Sequence, residues 1–357
     1  MADIPLFFKN KHLILDWIKN FFSEKDYNSD DVFNQIPEHI KNKFFDFVSR
    51  GKCIRGSLLL TAYNAAGGDK EEKVLGAAAA LEIFHSGFLI KDDIMDGDEL
   101  RRGQASMHIH LKKHFSDTAT SPSNSFSPGI SIAVCVSDLA YFLAMEALLK
   151  ARVTPETSVK LMNLFSSEIQ RVGSGQIFDI INSMNSFEIT EEKILTCYKN
   201  KTARYTFSLP FSAGVICAEG NNKLRADLEK AGEMLGLIFQ IKDDELGLTG
   251  THETTGKPAG SDIREGKATL HLVKLMRMIS KNERKTVISI VGNPEASDSE
   301  IKYITELMLK YDVMDSIGKF VEDLSYKIDL IIEESSFPAS CRKTLKALLD
   351  YSVSRGK

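Results

Sequence analysis

Along almost the whole chain apolar residues recur every three or four positions, the spacing that gathers them on one face of an α-helix. Residues 13–22 and 40–48 show it cleanly, and 56–66 carries it as far as Gly67-Gly68, a natural helix stop. Residues 74–93 form an alanine-rich helix, which lets neighbours approach closely, and 131–150 is a second of that kind. Thr154-Pro155-Glu156 has the form of an N-cap with proline at the first helical position, opening a helix over 155–182. The same spacing predicts helices over 190–214, 222–247, 268–278, 298–309, 313–333 and 339–352. Alternation with period two is nearly absent; 286–291 is the one candidate strand, and its pattern is ambiguous. Residues 116–128, rich in Ser, Thr and Pro, are expected to form a surface loop. With no internal repeat and no long linker, the expected fold class is all-α, a single domain over 1–357.

Composition narrows the choice of function. The apolar share of 43% and charged share of 26% exclude a wholly disordered chain. Lys and Arg number 45 against 49 Asp and Glu, a net −4 with no basic block, so nucleic acid is not an expected partner. The five cysteines (Cys53, Cys135, Cys197, Cys217, Cys341) are scattered and form no C-x-x-C pair, as suits a reducing compartment. The N-terminus has an early acid and no long apolar core, and reads as a mature start. No run approaches the ~20 apolar residues of a membrane span. A soluble cytoplasmic protein is expected.

The chemistry concentrates in Leu89-Ile-Lys-Asp92-Asp93-Ile-Met-Asp96. Asp92 and Asp96 fall on one helix face, where like charges destabilise unless a cation offsets them. Mg²⁺, which takes oxygen ligands and is commonly shared with substrate phosphates, would do so. Glu82 and His85 precede this cluster on the same helix, and Arg101-Arg102 follow with two guanidinium forks suited to phosphate. Gly51-Lys52-Cys-Ile-Arg55-Gly56 sets two cations at a helix start, where backbone N–H groups favour anions. A second acidic cluster, Phe239-Gln240-Ile-Lys-Asp243-Asp244-Glu245-Leu-Gly247, places Gln240 and Asp244 on one face. Lys201-Thr202 and Gly175-Gln176-Ile-Phe-Asp179 lie on predicted helices. Thr255-Gly256-Lys257-Pro-Ala-Gly260-Ser-Asp262-Ile-Arg264-Glu265-Gly266-Lys267-Ala-Thr269 is a glycine-rich loop able to present Lys257 to a phosphate. Singly, each has an ordinary reading as solvated or capping polar residues.

In this order the motifs resemble those of the trans-isoprenyl diphosphate synthases, the short-chain polyprenyl synthases that make geranylgeranyl or farnesyl diphosphate. The resemblance runs over about residues 50–267. It implies an all-α isoprenoid synthase bundle around a deep central cavity, usually a homodimer, condensing isopentenyl diphosphate with an allylic diphosphate. It implies three Mg²⁺ ions, with Asp92, Asp96 and Asp243 as ligands and Asp93 completing the first motif. On the allylic side it places Lys201, Thr202, Gln240, Lys257, Lys267 and Arg101; on the isopentenyl side Lys52, Arg55, His85 and Arg102. The departing diphosphate takes the proton in that family, so no protein base is required. Two positions depart from the pattern: Gly56 stands for a proline, and Gly247 for the last aspartate of the second motif, which leaves Asp243 its main ligand with Glu245 in support.

Chain length is expected to depend on what lies below Asp92. Phe88 and Phe84 are one and two turns away, roughly 6 and 12 Å. Position 87, where short-chain members often carry an aromatic, is Gly87. The expected product is therefore geranylgeranyl diphosphate (C20), with farnesyl (C15) or geranylfarnesyl (C25) as alternatives. Both phenylalanines also fit an ordinary core. A class I terpene cyclase needs no second diphosphate pocket, so Lys52, Arg55 and the Arg101-Arg102 pair favour the synthase. A silent subunit of a heteromeric synthase would be expected to lose its acidic motifs, and a helical scaffold would have no use for them.

Overall fold

The protein, known as a computed structural model, is described over residues 5–27, 31–116, 128–184, 187–249 and 260–354. It divides into two compact units, Met1–Met162 with Ile216–Glu219, and Asn163–Val215 with Gly220–Lys357. Within the described residues the only strands are one short hairpin, and everything else regular is helical. The expected all-α class is the one observed.

The first unit contains α1 (Pro5–Tyr27), α2 (Glu38–Ser49), α3 (Ile54–Ala65), α4 (Leu75–Asp96), α5 (Met107–Ser116) and α6 (Pro128–Leu149), and the start of α7 (Pro155–Met184). Between α4 and α5, β1 (Leu100–Arg101) pairs antiparallel with β2 (Gln104–Ala105). The two-residue turn, Arg102-Gly103, has φ of +54° and +72°, the left-handed pair that matches strand twist in a tight hairpin. α4 packs on α6 where small residues meet: Gly76 lies against Ala147 and Gly87 against Ala140, and Ala77 to Ala80, Ala133, Ala140, Ala144 and Ala147 are all without exposure. Ser137 Oγ donates to Gly87 O at 2.8 Å and ties the two helices at mid-length.

One helix bears on the expected absence of a membrane span. α6 is long and apolar enough to cross a membrane by length and composition, its apolar window having a mean hydropathy of 1.9. Nearly half of that window, 44%, is buried inside the protein. The inward face (Ala133, Val136, Ala140, Leu143, Ala144) is core, and a second apolar face (Leu139, Phe142, Met145, Leu149) is exposed. A run count misses this because Ser131, Ser137 and Asp138 interrupt the stretch.

The second unit holds the rest of α7, then α8 (Glu191–Tyr198), a π-helical segment (Lys199–Ser208) and, as far as Val215, α9 (Leu209–Cys217), the last three continuous. α10 (Asn222–Thr249), α11 (Ser261–Arg264), α12 (Leu270–Met278), α13 (Lys281–Ile290), α14 (Asp298–Lys310), α15 (Val313–Glu334) and α16 (Ala339–Ser354) follow. α10 is the spine, with Leu228, Ala231, Leu235, Ile238 and Ile241 buried along it. Residues 286–291 are not a strand. A capping box, Ser280 with Glu283, starts a helix ahead of them, and Val287 and Ile290 then fall together on its buried face.

The rod at 191–217, expected as one regular helix, changes pitch where Lys201 and Thr202 sit. Pro210 has no N–H for the carbonyl four residues back, and the wide turns precede it. Gly175 on α7 allows this segment to approach: a side chain there would meet Lys201 N at 2.6 Å and its Cα at 2.9 Å. Arg204, inside the segment, is held by Glu168 of α7 and by Glu229 and Glu233 of α10. Three carboxylates around one guanidinium satisfy its fork in several directions, which a partly buried cation requires.

Candidate active site

In the first unit, α4 delivers the acidic motif at its C-terminal end, where Gly97 closes the helix with φ of +69°. Asp92 and Asp96 are partly exposed on one face, whereas Asp93 is fully buried. Asp93 points at Arg101: Arg101 Nε donates to Asp93 Oδ1 at 2.5 Å, and Nη2 to Asp98 Oδ2 at 3.0 Å. Asp92 lies 3.9 Å from the same guanidinium. Burial raises Asp93 to about 6, against the lowering effect of Arg101. Its geometry is that of a holder of Arg101, unlike the partly exposed Asp92 and Asp96.

Arg102 turns the other way. Its Nη1 donates to Phe47 O at 3.0 Å, and its guanidinium lies over the Phe47 ring at 5.8 Å. Gly51 leaves room for it, since a Cβ there would come within 3.3 Å of Nη1. Between Arg55 and Arg102 stands Glu82, only 3% exposed, whose Oε1 accepts from Gly56 N–H at 2.8 Å. It caps the start of α3, where Cys53 takes a left-handed φ of +52°. Burial raises the Glu82 pKa, while Arg55, the Gly56 N–H and Arg102 oppose the rise. His85, half-buried, is kept neutral by burial first and then by Arg55, Arg102 and Arg101. The unit thus brings Arg55, His85, Arg101 and Arg102 together around two buried carboxylates, with Lys52 exposed at the same helix start.

Below the acidic face, Phe84 and Phe88 both pack on Tyr141 of α6, at centroid distances of 6.1 and 5.2 Å. Gly87 faces α6, and a Cβ there would meet Tyr141 Cε1 at 2.9 Å and Ala140 Cβ at 3.1 Å. An aromatic at 87 therefore has no room in this packing.

In the second unit a hydrogen-bond chain runs through the second motif. Thr202 Oγ1 donates to Gln240 Oε1 at 2.7 Å, and Gln240 Nε2 to Asp244 Oδ1 at 2.8 Å. The Tyr198 hydroxyl donates to Asp244 and accepts from Leu270 N–H at 2.9 Å. Asp244 is buried and its pKa is pushed well up, chiefly by burial and then by the charge of Asp262. Asp243 is exposed on the adjacent face. Lys201 Nζ is paired with Asp179 Oδ2 at 2.6 Å, and Lys267 with Glu265 at 2.9 Å. Glu245 is taken up by Lys242 at 2.6 Å. Lys257 lies outside the described residues.

Motif reading misses Tyr198, Phe47 and Tyr141 as parts of these constellations; it sets Glu82 ahead of the acidic cluster, but not at the start of α3. Tyr198 stands three residues before Lys201, so one helical turn links them, but nothing in a tyrosine at that spacing singles it out from core. Phe47 and Tyr141 reach their partners through tertiary packing alone.

Helices presenting aspartate pairs, with separate clusters of arginine and lysine, define a class of protein that handles diphosphate esters with the help of divalent metal. The polyprenyl synthetase family model matches residues 37–308. The geranylgeranyl diphosphate synthase of Saccharolobus solfataricus is 32% identical over 346 residues, spanning 92% of this chain and 97% of that one. The geranylfarnesyl diphosphate synthase of Aeropyrum pernix is 26% identical, spanning 92% of this chain and 98% of that one. The crystal structure of a geranylgeranyl pyrophosphate synthase from Corynebacterium glutamicum, complexed with isoprenyl diphosphate and magnesium, has a TM-score of 0.87 at 26% identity, covering 97% of this chain and 99% of that one. The chain belongs to the polyprenyl synthetase family and is a trans-prenyltransferase.

The donor set fits the magnesium of that family. Among the described residues no three His, Cys, Asp or Glu side chains converge as a ready-made cage. Mg²⁺ is ordinarily held by one or two carboxylates, with substrate phosphates and water completing its octahedron. The partly exposed i, i+4 pair Asp92 and Asp96 and the exposed Asp243 are carboxylates of that sort.

Proposed function

We propose that this enzyme condenses isopentenyl diphosphate with an allylic diphosphate (dimethylallyl, geranyl or farnesyl) to a linear all-trans prenyl diphosphate, and that its product is geranylgeranyl diphosphate (C20). The observation that carries the two-substrate reaction is the set Arg55, His85 and Arg102 around Glu82. His85 sits two turns, about 10 Å, before the Asp92–Asp96 face. A cyclase ionises a single diphosphate and gives such a second cationic set no task.

Lys52, Arg55 and Arg102 hold the isopentenyl diphosphate, and neutral His85 donates a hydrogen bond to it. Arg101, Lys201, Lys257 and Lys267, with Thr202 and Gln240, meet the allylic diphosphate. Asp92, Asp96 and Asp243 would hold Mg²⁺, which when bound would supply positive charge to the diphosphate leaving group. Lys201 exchanges Asp179 for a diphosphate oxygen, so its charge is present where negative charge develops. Asp93 fixes Arg101 for the same purpose. The double bond of the second substrate then attacks the allylic carbon, and the departing diphosphate takes the proton lost afterwards.

The C20 assignment rests on the aromatic cluster Phe84, Phe88 and Tyr141 as the floor under the growing chain. We further propose that the two units act as one catalytic domain, that two copies associate through α6, and that the enzyme works in a reducing cytoplasm, where its five free cysteines are stable. Purified protein with Mg²⁺, isopentenyl diphosphate and each primer in turn tests the function. Linear C20 diphosphate is expected, and Phe88→Ala should lengthen it. A C15 product alone overturns the floor assignment, and a cyclic hydrocarbon formed without isopentenyl diphosphate overturns the reaction.

A further inference from the structure

Two helical runs of the second unit, 198–208 and α10, face each other in antiparallel register. Their closest approach is at glycines of α10. A Cβ on Gly236 would stand 2.3 Å from Ala203 Cα, and one on Gly232 would stand 3.1 Å from the Phe207 carbonyl carbon. In the same register the polar residues meet as two rungs. Thr202 donates to Gln240; four residues earlier in one run and four later in the other, Tyr198 donates to Asp244. Gln240 Nε2 joins the rungs by donating to Asp244 Oδ1 at 2.8 Å. The Tyr198 oxygen also accepts from Leu270 N–H at 2.9 Å, one of the first amides of α12, which the helix itself leaves unbonded. One buried hydroxyl thus ties together Lys201-Thr202, Asp243-Asp244 and the stretch that follows Lys267.

We propose that Tyr198 is a positioning residue for the allylic diphosphate, acting through Asp244 to fix which end of the Gln240 amide meets the substrate. The inference rests on the two-substrate reaction proposed above. An amide can present its oxygen or its NH₂, whereas Asp244 accepts at both oxygens, from Tyr198 on one and from Gln240 on the other. Because Asp244 takes the nitrogen end, the carbonyl end is left for Thr202. The second hydrogen on Gln240 Nε2 has no acceptor among the described residues, and Gln240 is half-buried, open enough for a ligand to reach. A diphosphate only accepts, so this orientation serves it; the opposite one would set a carbonyl oxygen against it. Asp244 enforces the choice only while both its oxygens are held. Without the Tyr198 hydroxyl, one of those oxygens and Leu270 N–H are stranded together in the interior, and a stranded buried group shifts toward another partner.

The test is a double-mutant cycle read in steady-state kinetics, with Mg²⁺, isopentenyl diphosphate and whichever allylic primer the parent turns over fastest. Tyr198→Phe keeps the ring and loses the hydroxyl. It should lower kcat/KM for the allylic primer about tenfold, the scale of a lost hydrogen bond to a charged group, and move KM for isopentenyl diphosphate less than about twofold. In a Gln240→Met background the same change should cost less than about twofold, because the group it positions is gone. Thermal melting establishes that each variant is folded at the assay temperature. Where Tyr198→Phe is not, Asp244→Asn takes its place in the cycle: its amide no longer only accepts, so it should give the same selective loss and the same silence beside Gln240→Met. Parental kinetics in Tyr198→Phe, equal losses for both substrates, or a loss that multiplies with that of Gln240→Met each overturn the positioning role. A parent that turns over no primer with isopentenyl diphosphate overturns the reaction itself and this inference with it, a separate failure seen before any variant is made.

Discussion

Single residues in this protein are read best by asking what a buried polar group is paired with. Glu82 and Asp93 are both buried carboxylates, and each answers to an arginine and a fixed backbone or side-chain donor. Neither could be told from its neighbours by composition; the acidic motif has three aspartates, and only burial separates the holder, Asp93, from the partly exposed pair. His271 is the opposite case. It is fully buried on α12, and neither ring nitrogen has a hydrogen-bond partner among the described residues. Burial, with Lys242 adding to it, depresses its pKa from 6.5 to about 3. The sign follows directly: as pH falls below 6.5 the unfolded chain takes up a proton that the folded chain refuses until about 3, so stability present above 6.5 is lost across that window. At pH 5 this one group should cost about 2 kcal/mol. His271→Leu should change stability little at pH 7.5, within about 1 kcal/mol, and remove that part of the acid dependence. Urea unfolding of both proteins at pH 7.5 and 5 measures it, and equal losses in the two would show that His271 is not the sensor.

At the scale of elements, helix positions follow from apolar spacing, because a 3.6-residue period leaves a clear trace in any amphipathic helix. Pitch leaves almost none. The wide turns of the Lys199–Ser208 segment shift side chains by fractions of a turn, too little to disturb the apolar pattern over 190–214. Yet those turns aim Lys201 at Asp179 and Thr202 at Gln240. The tight approach of α7 to the segment depends on Gly175, where an added methyl meets Lys201 N and Cα, backbone atoms that cannot rotate away. Gly175→Ala should therefore destabilise the protein by about 1–3 kcal/mol, the usual cost of overpacking. It should also raise KM for the allylic diphosphate more than KM for isopentenyl diphosphate, since Lys201 and Thr202 move and the first unit's cations do not. Thermal melting and separate KM determinations check the pair of effects; equal changes in both KM values would place the damage in the general fold. The order of motifs that made the family recognisable is of the same local kind. What the sequence could not display is Tyr198 meeting Asp244, a contact between positions that motif spacing treats as independent.

For the whole molecule the informative surface is α6. Its inward face packs on α4 through alanines, and that packing is what the alanine-rich pattern foretold. The outward face is apolar too, with Leu139, Phe142, Met145 and Leu149 exposed at helical spacing and Phe142 at 70%. A helix that is apolar on every side is ordinarily covered on every side. Exposed patches of this kind on a soluble protein mark a partner's seat or an aggregation hazard. A net charge of −4 on 357 residues gives little repulsion to keep such faces apart. A second copy seated on α6 would bury Phe142 against its own counterpart's helix, a self-complementary contact that closes after two subunits. Phe142→Glu places a charge in the middle of that contact, where it would be desolvated without a partner, and should convert the proposed dimer to a monomer. Leu309, also exposed but on α14 of the second unit, provides the control: Leu309→Glu adds the same charge on another helix and should leave the association state unchanged. Sedimentation velocity of the three proteins decides the matter. A parent that sediments as a monomer removes the dimer outright, and a Phe142→Glu dimer moves the interface off α6.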